Sequence, residues 1–565
     1  MTRYIVPALL ILFFLLVTSA AGTKSATFDE SVHIFSGWRI LTQGDFATNH
    51  EHPPLMKVLC ALPLVGAGVQ PPRASMTREV DEWSVAHEFV YHVNDGDRVL
   101  RLARLPVALL ATVLAWAVYR FAAATLGPVA GLTALTLFVF EPNILAHSGL
   151  VTTDLAETAF TFFTFAAFVM YLRTRRRGWM IATGVLLGCA LLARFTGVLL
   201  IPILVICALL HVYLEGSRRW RETAVALGVI FAIGLVALNL GYGFGGTFSS
   251  LRSFTPESQA FRDRAAGPIG ALPLPVPREY VRGFDHAEAG GQRWWAYLFG
   301  RYSQTGWRHY YLTALAVKTP LPLLLMAAGG LLFWRRAARP IDALPPQVPL
   351  FLYLFLFTFS ANLKNIGLRY ILPVYPFLCV IAGIGAMALT AGIGGRTAAG
   401  AKAPAPKRSP AAAAMPWVLW VVLATQAGAA AWIHPDYLTF FNLAVGGPSR
   451  GMDVLLDSNL DWGQDLKGLG RYIAEHRIDT IYVDYFGRAC LRYYGVRSTP
   501  DFDGGWIAVS ATNLKGVYAE DKQRYKFLWD RTPDAVIGHS IFVYNVERPA
   551  GWKPKGGAAA ETGSD

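Results

Sequence analysis

Charged side chains are scarce in this chain. Asp, Glu, Lys and Arg together make up only 16% of its 565 residues, against 54% hydrophobic ones. A chain of this length could hold several soluble domains, but that composition excludes them. Cysteine is equally sparse. Cys60, Cys189, Cys207, Cys379 and Cys490 show no paired spacing, so no disulfide framework is indicated. Three of them lie inside apolar runs, where cysteine acts as a small hydrophobe. No tight zinc-ligand spacing occurs. No inverted halves are evident either, which argues against a secondary transporter.

Long apolar runs are what the chain does have. Stretches of ~17–25 apolar residues match the length a helix needs to cross a hydrocarbon core of ~30 Å. Spans are expected near 4–22, 99–121, 127–146, 152–172, 179–195, 197–214, 223–242, 311–334, 347–361, 368–391 and 415–433, about eleven in all. The formal charge of +13 does not indicate nucleic acid. The basic residues cluster in short loops: Arg120, 173–177, 218–221, 334–339 and the linker with Arg396, Lys402, Lys407 and Arg408. All of these fall on one side if the N-terminus is cytoplasmic, as the positive-inside rule requires. The first span is read as an uncleaved anchor rather than a signal peptide.

This threading predicts a membrane module over 1–433, with outer loops at 23–98 and 243–308 and a low-complexity cytoplasmic linker at 393–414. The remainder, 434–565, is predicted as an outer α/β domain ending in a disordered tail. A helical pattern at 461–476 and strand-like runs at 480–486, 506–510 and 540–546 support it.

Ionisable residues gather at the outer face. The first loop carries Asp29, Glu30, His33, Asp45, His50, Glu51 and His52 close to where the chain leaves the first span. Thr27 and Glu30 have capping-box spacing, so a structural role competes with a chemical one. Glu51 and His50 are candidate ligands for a divalent cation. Asp154 and Glu157 are three residues apart on one helical face, and acids at a hydrocarbon boundary usually face a polar cavity. Lys318 and Arg369 are candidate phosphate partners, with Arg194 a weaker one. Lys364 reads as a headgroup-seeking side chain. Asp457, Asp461 and Asp465 read as helix-capping acids. Acids and cations together at one outer surface suit departure of a sugar from a lipid-linked phosphate. The departing charge needs cations and the attacking hydroxyl needs a base.

The run "FDESVHIFSGWRILTQGDF…HEHPPL" resembles the first outer loop of C-type glycosyltransferases. That family includes protein O-mannosyltransferases and lipid A aminoarabinose transferases, which use polyprenyl-phosphate sugars. Asp29-Glu30, Gly44-Asp45 and Glu51-His52-Pro53 match its acid pair, its downstream turn and its acid before proline. "TTDLAETAF", "GRYSQTGWRHYYLTALAVKTPLP", "NLKNIGLRYILPVYPF" and the segment 434–466 are similar to later signatures.

The resemblance implies a polytopic helical C-type fold and an inverting transferase in a bacterial inner membrane, with its C-terminal domain extracytoplasmic. Its partners would be a polyprenyl-phosphate-linked sugar, the bilayer, and a protein, lipid or glycan acceptor. It further implies Asp29 as catalytic base with Glu30 and Asp154 beside it, and Glu157 and Tyr370 at the substrate. Glu51 would be a cation ligand. His52 stands where the aminoarabinose enzymes carry a phosphate-binding lysine, so Lys318 and Arg369 would supply that charge. A flippase for the same lipid is the rival expectation.

Overall fold

The computed structural model describes residues 2–76, 80–216, 219–290, 294–359, 364–390 and 410–553. The expected linker falls largely outside this set, and the C-terminal "GGAAAETGSD" wholly so. Among the described residues, six helices are long and apolar enough to cross a membrane: Thr2–Gly22, Gly96–Thr125, Thr153–Thr174, Phe195–Glu215, Trp220–Gly241 and Leu368–Thr390. Leu368–Thr390 is the most enclosed, and it runs along Leu321–Ala337 and Pro128–Val139. At the periphery, Leu325, Trp417 and Trp420 are exposed, as lipid-facing side chains of a polytopic membrane protein are.

Two expected spans are broken. Pro128–Val139 and Pro142–Ser148 meet at 63°, and Tyr310–Lys318 and Leu321–Ala337 at 116°. Proline causes both breaks. Pro320 cannot donate to a helical ladder, and it pushes Thr319 into an extended conformation (φ −92°, ψ 135°). Lys318 therefore ends a short helix at a sharp corner and does not lie within a continuous span. Counting each bent pair once gives eight crossings. Four shorter apolar helices, Leu55–Gly66, Arg177–Ala193, Gln347–Phe359 and Trp417–Ile433, remain. The expected number is reached only if three of them also cross.

Outside the helical body, β1 (Ala296–Leu298) and β2 (Arg301–Ser303) form a hairpin in the loop 243–308. The C-terminal region carries β3 (Tyr482–Asp484), β4 (Gly505–Ser510), β5 (Ala535–Ile537) and β6 (Ile541–Val546). They form one sheet in the order β3-β4-β6-β5, parallel between β3 and β4 and antiparallel elsewhere. Helix Leu466–Glu475 precedes it.

The tail is woven into the membrane body. Ser25 N donates to Gln464 O at 3.0 Å and Phe28 N to Trp462 O at 2.9 Å. Lys24 lies 2.5 Å from Asp465 Oδ1 and also pairs with Asp436. Asp457, Asp461 and Asp465 thus differ from the capping expectation. Asp465 makes no cap bond, Asp461 accepts from Thr512 N at 2.9 Å, and Asp457 accepts from the Tyr518 hydroxyl. They fasten tertiary joints, because burial requires each carboxylate to find a donor wherever the fold supplies one.

Candidate functional site

The loop after the first span folds into helices packed closely enough to fix its acids. A Cβ at Gly37 in Glu30–Gln43 would sit 1.9 Å from the Lys57 carbonyl of Leu55–Gly66, so only glycine permits this approach. At the head of the first of these helices, Asp29 occupies the N-cap position but makes no side-chain cap bond, which leaves its carboxylate free to face inward. Glu30 is used differently. It accepts from Arg104 at 2.9 and 2.6 Å, from Thr27 N at 2.8 Å and from Val151 N at 2.8 Å. The Thr27 bond is one half of the expected capping box. Arg104 in turn donates to the carbonyls of Ala21, Lys24 and Ser25. This buried pair has every donor and acceptor filled and anchors the start of the loop.

Arg369 joins the two acids that sequence reasoning singled out. Its Nη1 lies 3.3 Å from Asp29 Oδ2 and 3.8 Å from Asp154 Oδ2. Its guanidinium is 4.3 Å from the Trp462 ring centroid, so a tail residue forms the platform beneath it. The turn that carries Arg369 is tied to the tail as well. Ser458 Oγ donates to Ile366 O at 2.9 Å, and Leu368 N donates to Asn459 Oδ1 at 2.9 Å. A Cβ at Gly367 would collide with Ser458 Oγ at 2.1 Å.

Arg194 completes the cluster. It follows helix Arg177–Ala193, where the backbone turns extended, and it pairs with Asp154, lies 3.4 Å from Glu157 Oε2 and sits 4.6 Å over the Tyr370 ring. Glu157 also accepts from Thr196 Oγ1 at 2.5 Å and Tyr353 OH at 3.3 Å. Asp29, Asp154, Glu157, Arg194, Arg369 and Tyr370 therefore form one cluster.

Burial raises the Asp29 carboxyl to about 6. Arg369 opposes that rise, and Glu51 and Asp154 add to it. His33 and His52, with ring centroids 4.9 Å apart, are held neutral by burial, His33 down to about 3 and His52 well below its usual value. Among the described residues, His33 Nδ1, His52 Nδ1, His147 Nδ1 and Arg369 Nε are buried without a hydrogen-bond partner. Buried polar atoms normally find one, and these four gather around the same charges.

Other expected residues lie elsewhere. Lys318 Nζ donates to Leu438 O at 2.7 Å and to Asn459 O, and sits 4.6 Å over the Phe441 ring. It clamps the tail to the corner at Pro320. His50 turns to Glu279 of helix Arg278–Ala289, 3.3 Å away. Lys364, read above as a headgroup-seeking side chain, has its Nζ 5.6 Å over the Trp294 ring. Burial lowers its pKa, and it feels Glu51, Arg369 and Asp29.

Residues 93–242 match the family described as dolichyl-phosphate-mannose-protein mannosyltransferase. Among solved structures, ArnT from Cupriavidus metallidurans bound to undecaprenyl phosphate is 16% identical, covering 96% of this chain and 98% of its own at a TM-score of 0.47. The archaeal oligosaccharyltransferase AglB from Archaeoglobus fulgidus, in complex with an inhibitory peptide and a dolichol-phosphate, is 10% identical over 94% of this chain and 71% of its own (TM-score 0.45). The S. cerevisiae Pmt1-Pmt2 complex bound to the sugar donor is 18% identical over 46% and 37% (TM-score 0.32). No curated protein matches by sequence. The resemblance read from the first outer loop is thus joined by a mannosyltransferase-family signature in the next stretch of chain, and the protein is similar to the C-type glycosyltransferases.

Proposed function

We propose that this membrane protein transfers a sugar from a polyprenyl-phosphate carrier to an acceptor hydroxyl at the extracytoplasmic face of a bacterial inner membrane. The observation that carries the reading is Arg369 bridging Asp29 and Asp154 beside buried polar atoms that have no hydrogen-bond partner.

Asp29 is the base. With its pKa raised to about 6, it is ionised at neutral pH and still basic enough to take a proton. It removes the proton from the acceptor hydroxyl, whose oxygen attacks the anomeric carbon. The bond from that carbon to the phosphate oxygen breaks, and the lipid phosphate leaves with the electron pair. One displacement inverts the anomeric centre. Arg369 and Lys364 meet the charge that develops on the phosphate. Asp154 and Glu157 keep Arg194 and Arg369 in place, and Tyr370 forms part of the wall. The neutral His33 and His52 donate to or accept from sugar hydroxyls without adding charge. Glu30 and Lys318 hold the scaffold. His50 is engaged with Glu279, which leaves Glu51 without its expected partner ligand, so no step is routed through a cation there.

The two broken spans are what a flippase reading would use, because interrupted helices build carrier sites. Here the breaks are closed by internal partners: Asn143 Nδ2 donates to Lys318 O at 2.8 Å and to Glu141 Oε1 at 2.8 Å. Reconstitution with a polyprenyl-phosphate sugar separates the two. Transfer yields free polyprenyl phosphate and a product of inverted anomeric configuration, both absent with Asp29→Asn. Movement of intact donor between leaflets without product would overturn the proposal.

A further inference from the structure

Away from this cluster, ligand-bearing side chains from two distant parts of the chain converge. His87 lies in helix Glu82–Tyr91, His92 caps its C-terminal end, and Cys490 lies in the tail beyond β3. One imidazole nitrogen from each histidine and the Cys490 Sγ all lie within 4.8 Å of one another. The two imidazole centroids are 5.2 Å apart. Among the described residues this is the one group of three or more metal-ligating side chains so arranged.

We infer that His87, His92 and Cys490 bind a transition metal ion, Zn2+ by the character of the donors. Two imidazoles and a thiolate are a borderline-to-soft set that disfavours Mg2+ and Ca2+. Nitrogen and sulfur ligands at ~2.0–2.3 Å around a tetrahedral centre stand roughly 3.3–3.7 Å apart. The separation here closes to that by about an ångström of side-chain rotation. His92 is exposed and the other two are half-buried, so an ion can enter from solvent and a water can complete the fourth position. Binding displaces the Cys490 thiol proton to solvent.

Position gives the ion a purpose. It would cross-link the first outer loop to the tail where the two already touch. Arg488, two residues before Cys490, lies 4.4 Å over the Trp83 ring and 4.8 Å over that of Phe28, the neighbour of Asp29. Tyr493 OH donates to Asp95 Oδ1 at 2.5 Å in the same joint.

The test uses the full-length protein, stripped with EDTA and then dialysed against ZnCl2 or CoCl2. Elemental analysis is expected to find one zinc per chain. The cobalt form is expected to show a near-ultraviolet sulfur-to-metal charge-transfer band. Cys490→Ser should abolish the band, and both it and His92→Ala should weaken zinc binding by about 100-fold or more, since even outer-sphere partners are worth 10–100-fold. Because a variant could fail to fold, the wild type supplies a second measurement. Zinc should slow alkylation of the Cys490 peptide at least tenfold, and EDTA should restore it. Absence of stoichiometric zinc, a cobalt band that persists in Cys490→Ser, or alkylation indifferent to zinc would each overturn the assignment. None of these readouts depends on sugar transfer.

Discussion

Replacing Asp29 by Asn is expected to abolish transfer and, at the same time, to stabilise the protein. The folded value of about 6 exceeds the ordinary carboxylate value of 3.8. The folded protein therefore holds a proton that the unfolded chain has lost between those two pH values. Stability falls as pH rises from about 4 to about 6 and stays lower above it. At 1.36 kcal/mol per pKa unit, the buried charge costs up to about 3 kcal/mol at pH 7.5. Asparagine keeps the shape of the protonated acid and removes that cost. Mid-sized domains shift by ~2–4 °C per kcal/mol and larger chains by less, so the variant should melt about 3–6 °C above wild type at pH 7.5 and at the same temperature near pH 3.5. Intrinsic-fluorescence melting in detergent at the two pH values, run beside the transfer assay, reads both halves. An inactive variant that melts at or below wild type at pH 7.5 would refute the argument that Asp29 is a buried, charge-burdened base. An active variant would refute its role altogether.

The acid limb of kcat/KM, which reports the free enzyme, should fall near pH 6. It should move upward in Arg369→Gln, which removes the opposing cation, and downward in Glu51→Gln, by a unit or less. An unmoved limb would detach the profile from Asp29. Lys364→Ala should raise KM for the donor about tenfold or more while leaving the melting temperature near wild type. Lys318→Ala, by contrast, strands two buried carbonyls, at ~1–3 kcal/mol each, and should lower the melting temperature and expose the tail to limited proteolysis. Glu30→Gln leaves Arg104 buried without its counter-charge and should cost ~3–5 kcal/mol, seen as loss of folded, monodisperse protein.

The spans were legible because hydrocarbon thickness dictates their length, and each expected one has a helix within a few residues. The bend at Pro320 was written in the chain too. It escaped notice because the apolar run continues across "KTPLP", and hydropathy does not register a missing N–H. Asp29, Asp154 and Arg369 could be found because acids and cations are rare in such a sequence. Their mutual contact could not, since nothing local says that residue 29 meets residue 369. The same blindness assigned Lys318 to phosphate when its partners are tail carbonyls, and left Glu30 among the catalytic acids when Arg104 holds it. β5 was missed because three residues, Ala535–Ile537, are too few to show an alternating pattern.

Trp462 beneath Arg369, and the carbonyls that grip Lys318, belong to chain made after the last apolar helix. A nascent protein halted before that point would have its apolar helices complete and the Asp29–Arg369 cluster missing one side. The cluster is therefore completed only by the final quarter of the chain.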